Sequence, residues 1–220
     1  MLANVYLHYV LDQWFAREVQ PRLKGRAYVV RYADDFVIGF TENEDARRVM
    51  DVLPKRFGKY GLTIHPDKTR LVPFRKPQGR RKGPDSGGPG TFDFLGFTHF
   101  WARSRKGTWI LKRKTAASRF TRAVRTISQW CRFHRHDPVG EQHAVLCQKL
   151  RGHYGYYGIT GNSPALSRFQ YAVLRLWRKW LLRRRRAWRG TPDWFSRLLQ
   201  RYPLPYARAI HSACRRVANG

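Results

Sequence analysis

Apolar and polar positions along the chain change period several times, and each change marks an element. Over residues 2–18 the apolar side chains recur at helical spacing. Leu2, Val5, Tyr6, Tyr9 and Val10 share a face, Trp14 lies nearby, and Pro21 and Gly25 end the run. This predicts a helix that packs its apolar face into a core. Residues 28–32 and 36–40 are short runs rich in Val, Ile, Tyr and Phe, separated by Ala33-Asp34-Asp35. They predict the two strands of a hairpin. A second helix is predicted over residues 42–59, with Ala46, Val49, Met50, Leu53 and Phe57 as its buried stripe. Thr41 and Glu44 have the spacing of a capping box, Pro54 should kink the helix and Gly61 should stop it. Residues 91–97 read as a strand with a glycine bulge at Gly96, paired with 108–111 across a turn at 104–107.

From about residue 115 the helical period takes over. Helices are predicted over 118–133 (Phe120, Val124, Ile127 and Trp130 or Cys131 inward), 141–154 (Val145, Leu146 and Leu150 inward) and 164–188. In the last, Phe169, Ala172, Val173, Leu176 and Trp180 point inward. Three helices of this size suit a small bundle. Between the two regions, residues 75–91 mix Arg75, Lys76, Arg80, Arg81 and Lys82 with Gly, Pro and Ser, the composition of a flexible basic loop.

Charge narrows the function. The 220 residues carry 44 Lys and Arg against 14 Asp and Glu, a formal net charge of +30. Residues 115–220 hold 21 of the cations and only three acids, Asp137, Glu141 and Asp193. Such an imbalance predicts a polyanionic partner, with nucleic acid first and a membrane surface second. No apolar run reaches the 18 residues a membrane span needs. Three cysteines without a Cys-x-x-Cys pair point away from a disulfide framework and fit a reducing cytoplasm. Cys131, His134 and His136 match no standard zinc spacing.

The candidate chemistry sits at the hairpin tip. Asp34 and Asp35 are adjacent carboxylates at a tight turn that lacks the Asn-Gly or Asp-Gly of a relaxed one. Like charges there repel unless a cation joins them. Hard oxygen ligands suit Mg²⁺, which takes one or two carboxylates together with substrate phosphates.

Tyr32-Ala33-Asp34-Asp35 between apolar strands resembles the metal-binding hairpin of reverse transcriptases. Further blocks in family order strengthen the likeness. Leu2-Ala3-Asn4-Val5-Tyr6-Leu7 resembles the segment that follows the template-positioning motif. Gly61-Leu62, with Asp67-Lys68-Thr69 after it, resembles the next block, and Phe94-Leu95-Gly96-Phe97 resembles the primer grip. Downstream, Leu150-Arg151-Gly152-His153-Tyr154-Gly155-Tyr156-Tyr157 resembles the maturase-specific domain of group II intron proteins. Residues 188–212 look like that family's tail. The chain is therefore similar to the C-terminal portion of a group II intron-encoded reverse transcriptase/maturase.

The resemblance implies an α+β fold. A partial polymerase palm of antiparallel hairpins and helices (residues 1–114) would precede an all-α three-helix thumb/maturase domain (115–190) and a tail (191–220). It implies RNA-directed DNA synthesis on two Mg²⁺ ions held by Asp34 and Asp35, with Lys68 serving the leaving pyrophosphate. Tyr32, Phe94, Leu95, Gly96, Arg151, Tyr154, Tyr157, Arg175, Arg178, Lys179, Arg183, Arg184, Arg185 and Arg186 would contact nucleic acid. The implied partners are the parent intron RNA, an RNA template with a DNA primer and dNTPs, and target DNA. The family's third carboxylate and its fingers precede the first residue here. The expectation is therefore a truncated form that polymerises only with the missing fingers and early palm. Two alternatives stand beside it: a non-catalytic RNA-binding maturase remnant, and a fragment of a retron or CRISPR-linked reverse transcriptase.

Overall fold

The computed structural model describes residues 2–77, 90–184 and 193–211. Among these residues it is α+β, with two small antiparallel sheets and six α-helices. The chain divides into two compact units, residues 1–95 with 105–109 and residues 96–104 with 110–220. Of the basic loop expected over 75–91, residues 78–89 lie outside the described residues, as do Arg185, Arg186 and Trp188.

In the first unit α1 (Leu2–Leu7) opens a helical run that continues as π-helical turns at His8–Gln13 and Phe15–Val19. The wider i→i+5 turn breaks the 3.6-residue projection. Val10, Leu11, Trp14 and Phe15 become the inward set, while Leu2, Val5, Tyr6 and Tyr9, expected in the core, are exposed. The hairpin follows as β1 (Ala27–Tyr32) and β2 (Asp35–Phe40) in antiparallel register, with Val29 opposite Ile38. α2 (Asn43–Lys59) runs on through Pro54. It ends as the sequence predicts: Gly61 takes φ +68°, and the Leu62 and Gly61 N–H groups close back on the Phe57 and Gly58 carbonyls at 3.0 and 3.1 Å. The expected capping box does not form. Thr41 Oγ1 instead accepts from the Arg26 N–H at 2.9 Å, and Glu44 meets Lys24 at 3.0 Å. The first turn of α2 is tied by Asp45, which is buried and accepts the Gly25 N–H at 2.8 Å.

The inner face of the hairpin, Ala27, Val29, Phe36, Ile38 and Phe40, packs on Val10, Leu11, Trp14, Phe15, Val49, Leu53 and Phe57. Arg31 shares this inward phase, opposite Phe36, and a charge there needs a partner. Asp12 supplies it. Arg31 Nε donates to Asp12 Oδ1 at 2.9 Å and Nη2 to Oδ2 at 2.7 Å, a two-pronged pair. The other prong, Nη1, donates to the Ala33 carbonyl at 2.8 Å and to Asn4 Oδ1 at 3.3 Å. One guanidinium thus joins the N-terminal helical run to the hairpin turn. Its hydrogen bonds hold the Asp12 carboxyl below the ordinary range against the opposing effect of burial, with His8 at 3.3 Å helping.

Residues 91–97, expected as one strand, turn back on themselves. β3 (Phe92–Phe94) and β4 (Phe97–Arg103) are separated by Leu95 at φ +50° and Gly96 at φ +75°. Positive φ at both central positions is the pattern of a two-residue type I′ turn. β5 (Trp109–Thr115) follows, and the strand order is β3-β4-β5.

The second unit is built on α3 (Ala117–Phe133), α4 (Val139–Tyr157) and α5 (Ser163–Leu182), with a short α6 (Trp194–Arg201) beyond. Ile127, Cys131, Leu146, Leu150, Leu166, Phe169, Val173 and Trp177 form its core. Trp177, absent from the predicted stripe, is fully buried, and its indole N–H donates to Gln142 Oε1 at 3.0 Å. Asn162, also buried, ties three elements. It accepts the Thr115 N–H at 3.0 Å and donates to Thr115 Oγ1 and to the Tyr157 carbonyl, both at 2.9 Å. Residues 203–211 return along the bundle. The Pro205 carbonyl accepts from Tyr154 and Gln170, and the N–H groups of Ile210 and His211 reach the Gly158 carbonyl.

Two predictions follow from these contacts. Arg31→Met removes the charged bonds to Asp12 and to the Ala33 carbonyl. Amide hydrogen exchange at Asp35 should rise at least about tenfold, the scale of losing one charge-assisted bond, with Asp12→Asn acting the same way and Arg31→Lys restoring only part. An unchanged exchange rate would show that Arg31 does not hold the turn. The second concerns His153, whose ring stacks on Phe169 at 3.8 Å and sits 4.7 Å from Tyr157. Burial lowers its pKa to about 4, so the folded state keeps it neutral. The unfolded chain binds that proton near pH 6.5, and the stability His153 contributes is lost as pH falls from there towards 4. Thermal melts between pH 7 and 4 should show a shallower decline for His153→Phe than for the wild type.

Candidate active site

The hairpin reverses in two residues, Ala33 and Asp34, with Tyr32 paired to Asp35 across its mouth. Ala33 sits at φ +55°, a region in which a Cβ is strained. Positive φ at the first central position alone is the pattern of a type II′ turn, where glycine is the usual occupant. The cost is of order 1–3 kcal/mol, and the Arg31 bond to the Ala33 carbonyl offsets it. What the strained turn presents is the pair of carboxylates. Asp34 and Asp35 are both exposed, and neither side chain has a hydrogen bond or ion pair among the described residues.

Asp35 lies on the outward face of the hairpin with its cross-strand neighbour Tyr32, which is 67% exposed. Val30 and Tyr28 continue that face at 59% and 64%. The donor set suits a hard divalent cation: two adjacent carboxylates, free of cationic partners, with water or phosphate left to complete the shell. No group of three or more His, Cys, Asp or Glu side chains able to hold a metal occurs among the described residues. Lys68 ends a 3₁₀ turn (Pro66–Lys68) in the same unit and is exposed.

In the second unit Gly96 and Tyr157 come together. A Cβ on Gly96 would stand 3.0 Å from the Tyr157 hydroxyl, and the Gly96 carbonyl accepts the Ala116 N–H at 2.9 Å. The Tyr157 ring packs edge-on against Phe97, with centroids 5.3 Å apart. Burial raises its hydroxyl pKa, with Tyr156 adding to the effect. Tyr154, expected to contact nucleic acid, is instead a core residue. It is 3% exposed, its hydroxyl meets the Pro205 carbonyl, and burial pushes its pKa up to about 12. Its helical phase with Leu146 and Leu150 puts it inside.

The expected cations also separate into two groups. Arg151, Arg175, Arg178, Lys179 and Arg183 are exposed. Arg184 is turned inward, where Nη2 donates to the His136 and Asp137 carbonyls at 2.7 and 2.6 Å. It closes the connection after α3 and is a structural cation. Arg183 lies 5.0 Å and Lys179 5.7 Å from the Trp180 ring centre. α3 and α5 contain no acidic residue, so their arginines have no carboxylate along their own helices.

Sequence reasoning passed over Asp12, Arg31 and Asn162. A signal existed for Arg31: it falls in phase with Ala27 and Val29, on the side of the strand that must be buried. For Asn162, a lone polar residue before Ser163-Pro164, only the packed structure shows the partners.

No curated protein matches the chain. A family model does: residues 1–99 match the model described as reverse transcriptase (RNA-dependent DNA polymerase). The match spans the N-terminal helical run, the Asp34–Asp35 hairpin, Lys68 and the turn at Gly96, a little under half of the 220 residues. Over that stretch the chain is similar to the reverse transcriptase (RNA-dependent DNA polymerase) family.

Proposed function

We propose that the chain is the late palm and thumb/maturase portion of a group II intron-encoded reverse transcriptase, acting in RNA-directed DNA synthesis and in binding the intron RNA. The observation that carries the polymerase half is the exposed, unpartnered Asp34–Asp35 pair on a turn held by Arg31. In a chain of net charge +30, two adjacent acids with no cationic partner among the described residues are set up for an external one. The residues fit Mg²⁺, and Asp34 and Asp35 would hold it. Bound there, Mg²⁺ supplies charge neutralisation at the oxygens of a phosphoryl transfer. Lys68 would place a positive charge beside the departing pyrophosphate, and Phe94, Leu95 and Gly96 would support the primer end.

The reaction needs template-holding residues and a further carboxylate from a fingers and early-palm segment. The exposed apolar residues Leu2, Val5, Tyr6 and Tyr9 offer that segment an apolar surface. The maturase half rests on the acid-free helices α3 and α5 and on the Tyr157–Gly96 contact, with intron RNA, template–primer and target DNA as the polyanions. No helix among the described residues is long and apolar enough to cross a membrane. A second reading, RNA binding without polymerisation, is favoured by the same acid-free helices, which need no carboxylate turn to work.

Primer extension on an RNA template decides between them, using this chain together with a polypeptide that supplies fingers and early palm. The polymerase reading expects Asp34→Asn and Asp35→Asn each to lower extension on the order of a hundredfold or more, the scale of removing one group that stabilises developing charge. RNA binding in a filter assay should stay unchanged and weaken steeply with salt. Extension that survives both substitutions would refute the assignment of the hairpin, and no extension by the wild-type pair would leave the second reading standing.

A further inference from the structure

α5 carries a second pattern besides its buried stripe. Arg168, Tyr171, Arg175, Arg178 and Leu182 follow one another at spacings of three and four along the side away from Phe169, Val173 and Trp177. Such spacing lines up one face of a helix. All five are exposed. Tyr171 stands out among them: at 62% exposure a large ring has been left in water midway along the arginines. Arg175, one turn on, places its guanidinium 5.7 Å from the Tyr171 ring centre. Arg168, one turn back, leans to the neighbouring helix, 5.9 Å from the Phe120 ring of α3. α3 packs on α5 and adds Arg122, Arg125 and Arg132 to the exposed surface, again with no acid in the helix. From Arg168 to Arg178 the stripe runs about 15 Å at 1.5 Å per residue, long enough for a few nucleotides.

We infer that this face of α5 is a binding site for unpaired nucleotides, with Tyr171 as the platform on which one base stacks and Arg168, Arg175 and Arg178 as the phosphate contacts. The occupant is fixed by chemistry. Arginines alone accept any polyanion, duplex or lipid surface included, because phosphate is all they read. A flat aromatic ring offered between them adds something only for a ligand that brings a flat face of its own. Every unpaired base has one, whereas a paired base in a helix keeps its faces stacked on its neighbours. Arg175 over one side of the ring strengthens the arrangement, since a guanidinium both stacks on the ring and forks to phosphate. This site deepens the RNA-binding half of the function proposed above and rests on that reading. It owes nothing to the Asp34–Asp35 turn, which belongs to the other unit.

The test uses the full chain and fluorescence anisotropy with three labelled 12-mers: oligouridylate, its deoxyribose counterpart, and a strand of equal length and charge lacking bases. Tyr171→Ala should weaken oligouridylate binding about 5- to 100-fold, the equivalent of one lost stacking contact. Tyr171→Phe should bind like the wild type. The base-free strand should bind both wild type and Tyr171→Ala equally, and more weakly than oligouridylate binds the wild type. Arg175→Ala should lower the slope of log K against log salt by about one contact for all three strands. Ribose and deoxyribose strands should lose equally if the base alone is read; a loss confined to ribose would overturn base stacking as the source of the effect. An equal loss on the base-free strand, or none on any strand, overturns the inference while leaving RNA binding intact. Absence of salt-dependent binding by the wild type overturns both the inference and the RNA-binding reading beneath it. Vesicles of phosphatidylserine form a last arm, and tighter, Tyr171-dependent binding to them than to oligouridylate would make the face a membrane contact.

Discussion

The Arg31–Asp12 pair is the contact on which the hairpin turn of the first unit depends. Arg31 stands on the buried side of a strand, where a lone cation is costly, so Asp12 must be there to receive it. Once the two are joined at 2.7 and 2.9 Å, the remaining prong of the guanidinium is aimed and cannot wander. It falls on the Ala33 carbonyl, the first peptide of the turn. A partly buried pair contributes little net stability of its own, because desolvation cancels much of the attraction. Its value here is geometric: it fixes one reversal of the chain against one helix. The strain of Ala33 at positive φ is then tolerated, and two carboxylates face outward at the end of a defined strand.

The second unit solves the opposite electrostatic problem. α3 and α5 are cationic with no acids to balance them, and at short range such charges repel even through water. Surface pairs cannot relieve this, so the stability has to come from inside. It does so through Trp177, Phe169, Leu146 and Leu150 in the core, and through buried polar groups that are bonded rather than charged. Gln142 takes the Trp177 N–H, and Asn162 closes the junction of β5, α4 and α5. Amides do this work at lower desolvation cost than ions would. The exposed arginines of α3 and α5 make ring contacts but no ion pair among the described residues, and their charge stands available to an external anion. Arg184 marks the border of that release: it is spent on two carbonyls, and the run of cations beside it should not be read as one uniform patch.

Much of the architecture was legible because it rests on period and punctuation. The hairpin, α2 with its stop at Gly61, and the three long helices all follow from spacing. Two kinds of feature escaped. One was local hydrogen bonding that changes the period itself. The π-helical turns after Leu7 rotate the inward set to Val10, Leu11, Trp14 and Phe15, and a projection at 3.6 residues per turn sends Tyr9 to the wrong side. The β3–β4 reversal is similar, since Leu95 is an unusual residue for positive φ and hides the turn inside an apolar run. The other kind was the identity of buried polar partners. Arg31 signals a need by its phase, but which of 14 acids answers it is a property of the packed chain. The carboxylate pair itself was readable, whereas the latch that aims it was not.

Those acids also show why the hairpin stands apart. Among the carboxylates of the first unit, Asp12 is taken by Arg31, Glu44 by Lys24 and Asp45 by the Gly25 amide. In a chain with three cations for every acid, cationic partners are abundant, yet Glu18, Glu42 and Asp51 as well as Asp34 and Asp35 have no side-chain partner among the described residues. Asp34 and Asp35 differ from the other three in being adjacent, so that they repel each other. Two features of the fold keep them apart from the cations. The nearest arginine in sequence is turned inward to Asp12, and the neighbours on the outward face are Tyr28, Val30 and Tyr32, none of them charged. The same contact that removes Arg31 from the surface thus leaves the carboxylates without a counter-ion among the described residues. That is the electrostatic condition under which a divalent cation competes well for them, and a lysine or arginine at the position of Val30 would abolish it without touching either acid.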